Sequence, residues 1–253
     1  MKSPIIQVKN LVKKYETLTA VNDITFEVFE GEIYGLLGPN GAGKTTTMEI
    51  METLRKKTSG EIIIDGKSID TSPGEIKKII GVQLQAAGYF PSLTLTELMK
   101  LFSGLYNVDV NISEMLNRVG LSDKAKAKYK ELSGGQKQRF SIATTIINNP
   151  KIVFLDEPTT GLDPQARRNL WALIRDIRSK GTTVMITTHY MDEAENLCDR
   201  VGIIEKGKII AVDTPDNLID DLVKKGFERK KEVKKANLED VFLNLTGNEW
   251  RDE

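Results

Sequence analysis

A chain of 253 residues is long enough to bury a full core with a subsidiary lobe, and its 36 Lys plus Arg balance 36 Asp plus Glu. That balance argues against a general nucleic-acid binder, which would carry a basic excess. The single cysteine, Cys198, excludes an internal disulfide and any cysteine-built metal cluster.

No basic-then-apolar signal segment opens the chain. The first predicted elements are half-buried strands in IIQVKN (5–10) and ITFEVF (24–29), where apolar and polar residues alternate. IYGLLGP (33–39) is an apolar strand running into glycine. Behind it Met48, Met51 and Leu54 recur at three-residue steps, as on a helix face. EIII (61–64) before Asp-Gly and IIGVQL (79–84) predict further strands. The longest uncharged run, 79–96, is interrupted by Gln83, Gln85, Gly88, Pro91 and Ser92 and makes a poor membrane span.

Over 93–149 the strand pattern fades. LTLTELMKLFSGLY, ISEMLNRVGL and QKQRFSIATTII read as helices broken at Gly104, Gly120 and a Ser-Gly-Gly turn, with Phe140, Ala143 and Ile147 on one face. IVFL (152–155), VMIT (184–187), VGII (201–204) and IIAV (209–212) are short apolar strands. The helical stretch 165–178 between the first two has the spacing of a parallel crossover, and EKG (205–207) makes a hairpin turn between the last two. The predicted order is a small β lobe, an α/β core, a helical insertion and the core again over 1–215. A polar tail, 216–253, follows with a weak helical pattern ending in LEDVFLNL. These features predict folding in the cytosol, with any membrane role reached through a partner.

Three places carry chemistry. Gly38-Pro39-Asn40-Gly41-Ala42-Gly43-Lys44-Thr45-Thr46 fits the pattern of a phosphate loop between a strand and a helix. Its glycines free the backbone to wrap phosphate, Lys44 would reach the outer phosphates, and the Thr45 hydroxyl would sit on magnesium. IVFLDE (152–157) ends a buried strand in two carboxylates. Asp156 is placed to hold hydrated magnesium, and Glu157 to orient or deprotonate a water attacking the terminal phosphoryl group. His189, the only histidine, also follows a predicted strand end, within reach of the terminal phosphate region. A fourth stretch, LSGGQ (132–136), has an N-capping serine and two glycines suited to an anion, in a chain that already has a phosphate loop.

Taken in order, these motifs resemble the ATP-binding subunits of ABC transporters over nearly the whole chain. The resemblance implies a P-loop NTPase core of α/β class with an N-terminal antiparallel β lobe and an inserted helical subdomain at about 93–149. It implies ATP and Mg2+ as cofactors, Tyr15 stacking on adenine, Gln85 contacting magnesium and sensing a membrane partner, and Asp163 crossing a subunit boundary. Gln85 follows Leu84 where many members have proline. The resemblance also gives the fourth stretch its purpose. Ser133, Gly134, Gly135 and Gln136 of one subunit close over the ATP held by the other, in a head-to-tail pair of identical or closely related chains. ATP then bridges the pair, because it contacts both halves only when they are closed.

The implied partner is a separate integral membrane permease, which places the chain at the cytoplasmic face of the membrane, with no stable nucleic acid expected. Tyr89, Phe90 and Leu93 fall in a loop that could dock the permease or cover the joint between lobes. IGVQLQ (80–85), TTHYMDEAENLCDR (187–200) and LEDVFLNLTG (238–247) resemble the ATPases of drug, antibiotic, sodium or lipid exporters. The alternative is a soluble ABC-type ATPase acting on DNA or ribosomes. Against it, the stretch between Lys44 and Ser133 lacks the sustained heptads of a long coiled coil.

Overall fold

The computed structural model describes residues 3–83 and 88–227. Two sheets organise it. In the first, β1 (Pro4–Tyr15) and β2 (Leu18–Phe29) form a long hairpin closed where Tyr15 faces Leu18. Both strands run further than the alternating cores suggested, because backbone pairing continues through their polar ends. Register shifts between Val8 and Lys14 absorb the change. β4 (Ser59–Ile64) joins β1 and β5 (Lys67–Ser68) follows, giving the antiparallel order β2-β1-β4-β5.

The second sheet contains β3 (Ile33–Leu37), β6 (Ile80–Gln83), β7 (Ile152–Asp156), β8 (Thr183–Thr188), β9 (Arg200–Glu205) and β10 (Lys208–Asp213). Its order is β10-β9-β3-β8-β7-β6, parallel throughout except for the β9–β10 hairpin. Every residue of β3, β7 and β8 is buried, as their unbroken runs require of central parallel strands. The sheet order brings the ends of β3, β8 and β7 side by side, although β3 and β8 are far apart in sequence.

Helices α1 (Lys44–Met51) and α2 (Pro73–Ile79) come first, then α3 (Leu95–Tyr106), α4 (Ile112–Arg118) and α5 (Gly134–Thr145) in the insertion. α6 (Pro164–Ser179) is the β7–β8 crossover, and α7 (Met191–Leu197) links β8 to β9. α2 (PGEIKKI) and α7 (MDEAENL) carry too few large apolar residues for a period to announce them. Because Ile79 closes α2, the strand predicted from that residue begins at Ile80. α5 is enclosed rather than one-faced: residues 140–145 are all buried, and Ile147 lies beyond its end. A Cβ at Gly81 would stand 2.0 Å from the Thr145 carbonyl oxygen, so glycine there lets α5 approach β6.

The chain divides into two units, Met1–Asn217 and Leu218–Glu253. α8 (Pro215–Lys224) begins in the first; the pattern ending in LEDVFLNL lies outside the described residues. Among the described residues no helix is long and apolar enough to cross a membrane.

Glu52 caps the C-terminus of α1 with its side chain inside the protein, 2% exposed, and its Oε1 has no hydrogen-bond partner among the described residues. Burial first, then the charges of Asp156 and Glu49, push its carboxyl up to about 8 from an ordinary 4.5. An unfolded chain loses this proton near the ordinary value while the folded chain keeps it to about 8, so stability falls as pH rises across that interval. Glu52→Gln is expected to flatten that fall, read as denaturation midpoints at the two ends of the interval. Parallel pH profiles in the two proteins would clear Glu52 of this role.

Candidate active site

The loop 38–43 leaves the end of β3 and delivers the chain into α1. Gly43, the N-cap of α1, has φ 102°, and a Cβ there would stand 2.4 Å from the Ala20 carbonyl oxygen of β2. Only glycine allows the loop to turn this tightly against the β lobe. With no side-chain cap on α1, its first-turn N–H groups remain free donors, as an anion requires.

Lys44 is 4% exposed. Its Nζ donates to the Gly38 and Pro39 carbonyls at 2.9 and 3.1 Å and lies 3.3 Å from Glu157 Oε1. The ammonium thus sits in the mouth of its own loop, held by two dipoles and one carboxylate. An open cavity of about 400 Å³, lined among others by Tyr15, Asn40, Lys44, Thr45, Thr46 and Glu157, extends from it, a size suited to a small-molecule ligand.

β7 ends at Asp156, beside Thr45, and the next residue, Glu157, lines the cavity. Asp156, 6% exposed, accepts hydrogen bonds from the Thr187 hydroxyl of β8 and, at 3.4 Å, from the Thr45 hydroxyl. Burial raises its carboxyl above the ordinary range, against the pull of those two bonds. Glu157 turns away with φ 47°, a left-handed conformation that costs about 1–3 kcal/mol in a residue with a side chain. Its N–H donates to the same Thr187 oxygen at 3.0 Å, and Thr160 Oγ1 donates to its Oε2 at 3.2 Å. Burial pushes the Glu157 carboxyl up, but Lys44 and then His189 outweigh it and hold the group below its ordinary value. His189 Nδ1 lies 3.3 Å from Glu157 Oε1, a close approach rather than an aligned hydrogen bond.

Folding therefore brings together the loop 38–46, Asp156, Glu157 and His189, with Tyr15 on the cavity wall. Lys13 Nζ and the Arg55 guanidinium lie 4.8 and 5.5 Å from the Tyr15 ring centre. Gln85 lies outside the described residues. LSGGQ and Asp163 stand apart: no residue of 132–136 and no Asp163 lines the cavity. Ser133 caps α5, accepting from Gln136 N–H at 3.3 Å while its own N–H donates to Gln136 Oε1 at 3.0 Å. Asp163 caps α6, accepting from Ala166 N–H at 2.7 Å. Sequence reasoning missed Thr187, the hydroxyl that orders both acids; its one signal is a hydroxyl closing the apolar run VMIT (184–187).

The donors suit a nucleoside triphosphate. Free helix N–H groups and a buried ammonium match phosphates. Thr45 Oγ1 and Asp156 Oδ1, both hard oxygens, could hold magnesium. Among the described residues no group of three or more His, Cys, Asp or Glu could hold a metal alone. Such an ion would draw its other ligands from phosphate and water, as magnesium does beside nucleotides.

A parallel sheet with a glycine-lysine loop at one strand end and paired carboxylates at the end of the next strand but one is the architecture of a phosphate-loop nucleoside triphosphatase. Its antiparallel β lobe and inserted helical subdomain narrow the class. The chain belongs to the ABC transporter family, whose model matches residues 21–160.

The chain is 39% identical over 254 residues to the probable multidrug ABC transporter ATP-binding protein YbhF of Escherichia coli, covering 98% of this chain but 43% of that protein. It is 35% identical to the Nod factor export ATP-binding protein I of Burkholderia orbicola, across 98% of each. Among solved structures, a dimeric post-hydrolysis state of the ATP-binding cassette MJ0796 bound to ADP and Pi superimposes with a TM-score of 0.75. That match has 28% identity and covers 83% of this chain and 98% of that one. Family membership implies the use of ATP and Mg2+.

Proposed function

We propose that this chain is the ATP-hydrolysing energy subunit of an exporter, pairing head to tail with a second such subunit and driving a separate membrane permease from the cytoplasmic face. The ATPase occupies 1–215, with 216–253 as a short tail. The observation that carries this reading is the N-terminus of α5. Ser133 and Gly134 are exposed there and contribute nothing to the cavity beside Lys44. A phosphate-facing turn with no phosphate site of its own finds one on a second copy.

In this reading Lys44 and the N–H groups of 41–46 hold the outer phosphates, Tyr15 supports the base, and Thr45, Asp156 and Gln85 hold magnesium. Magnesium supplies neutralisation of phosphate charge when bound. Glu157, ionised at neutral pH because Lys44 and His189 outweigh its burial, accepts a hydrogen bond from the attacking water and lines it up, with His189 steadying the carboxylate. Ser133, Gly134, Gly135 and Gln136 of the partner close the site, and Asp163 lies at the boundary. The dimeric state of the MJ0796 cassette with ADP and Pi supports pairing. The words multidrug and export in the names of the two relatives support the direction.

Tyr89 and Phe90 take different parts. The Tyr89 hydroxyl is 2.7 Å from Thr144 Oγ1 and donates to Ser141 Oγ at 3.3 Å, and its ring packs against Phe102, Tyr129 and Phe140. It packs onto the helical insertion, against α3 and α5. Phe90, 61% exposed, remains for the permease.

Complementation tests the shared site. Ser133→Ala and Lys44→Ala chains are each expected to be poor ATPases. Mixed, they form dimers with one intact site, where the Lys44 of the first meets the Ser133 of the second. Turnover in the mixture should exceed that of either variant alone. A mixture no better than its components would mean that each chain uses its own Ser133, contradicting the pairing.

A further inference from the structure

Glu193, on α7, has no solvent exposure. Its Oε1 accepts from Trp171 Nε1 of α6 at 3.0 Å. The hydroxyls of Thr188 and Thr159 face the same carboxylate, yet Oε2 and Thr159 Oγ1 have no aligned partner among the described residues. Three segments meet at this one group. Trp171 belongs to the helix that Asp163 caps, Thr188 precedes His189, and Thr159 lies two residues beyond Glu157.

A second tie runs alongside. Arg167, one turn before Trp171 on α6, places Nη1 2.8 Å from Asp192 Oδ2 and its guanidinium 4.6 Å from the Tyr190 ring centre. The Tyr190 ring centre is in turn 4.1 Å from that of His189. α6 is thus fastened at two successive turns to the segment that carries the histidine.

Packing does not account for Glu193. Its neighbours on α7, Ala194 and Leu197, are buried and apolar, and a carboxylate shut off from bulk solvent is costly where a leucine or methionine would serve. We propose that Glu193, through Trp171, is a positioning residue that holds His189 and the Glu157 turn fixed against the Asp163 helix, so that displacement of that helix by a partner subunit reaches the catalytic centre. This rests on the roles proposed above for Glu157 and His189.

The test uses the full chain and Mg-ATP. Trp171→Phe keeps the ring and removes the donor; Glu193→Ala removes the acceptor; Glu193→Gln retains a carbonyl for the same N–H. Trp171→Phe and Glu193→Ala are expected to lower kcat about 10- to 100-fold with KM for ATP within about twofold, as small misplacements of reacting groups do. Glu193→Gln should restore most of the loss. In a Trp250→Phe chain, whose remaining tryptophan is Trp171, emission should change on adding Mg-ATP. Should Glu193→Ala fail to fold, Trp171→Phe still decides.

A Trp171→Phe kcat within twofold of wild type would overturn the proposal. So would a loss of kcat and KM together that follows reduced thermal stability, or Trp171 emission indifferent to nucleotide. Glu157→Gln serves as the control. Full turnover in that variant would overturn the underlying reading, whereas an inactive Glu157→Gln beside a normal Trp171→Phe would overturn this inference alone.

Discussion

Glu157→Gln is expected to turn over ATP about 10²- to 10⁴-fold more slowly than wild type, the range lost with a positioned general base, while binding ATP at least as tightly. The first half follows from the group's charge. Lys44 and His189 hold the carboxyl below its ordinary value despite burial, so at neutral pH it is an acceptor ready for a water proton, and an amide is a far weaker base. The second half follows from the free state. Lys44 Nζ already has Glu157 Oε1 at 3.3 Å in a pocket where the two side chains are 4% and 9% exposed, so an arriving phosphate competes with that carboxylate for the ammonium. Glutamine keeps the shape and removes the competing charge. Single-turnover kinetics and equilibrium nucleotide binding separate the two effects. Size-exclusion with Mg-ATP should also find the variant as a dimer, since the bridging nucleotide is no longer consumed. Wild-type turnover would remove Glu157 from its role; a strictly monomeric ATP-bound variant, even beside its permease, would remove the clamp.

Lys44→Ala acts on binding itself. Truncating one member of a buried, hydrogen-bonded charge pair costs about 2–5 kcal/mol, or roughly 30- to 4,000-fold in affinity. The loss should fall on ATP affinity, measured by calorimetry. The same change leaves Glu157 without its nearest cation and the Gly38 and Pro39 carbonyls without their donor. A lower melting temperature in the absence of nucleotide should therefore accompany it. Ordinary ATP affinity in a folded Lys44→Ala protein would show that the loop's N–H groups suffice and that the lysine serves only to neutralise Glu157.

Much of this protein is legible without coordinates because its informative patterns are contiguous. The glycines and lysine of 38–46, the apolar runs entering β3, β7 and β8, and the acids closing β7 each depend on neighbours along the chain. Local sterics and burial dictate such features. That is why the class of fold, the phosphate loop and the acid pair could be read directly, and why α2 and α7, with too few large apolar residues to set a period, could not. Tertiary structure decided what lies across the sheet. The order β3-β8-β7 sets Lys44 against Glu157, places the Thr187 hydroxyl between Asp156 and the Glu157 N–H, and buries Glu193 under α6. It also leaves the Ser133 turn out of its own chain's cavity. Strand order depends on which buried faces pack with least strain over the whole core. An alternating or apolar pattern names a strand but not its neighbour, so these pairings have no signature in the linear chain.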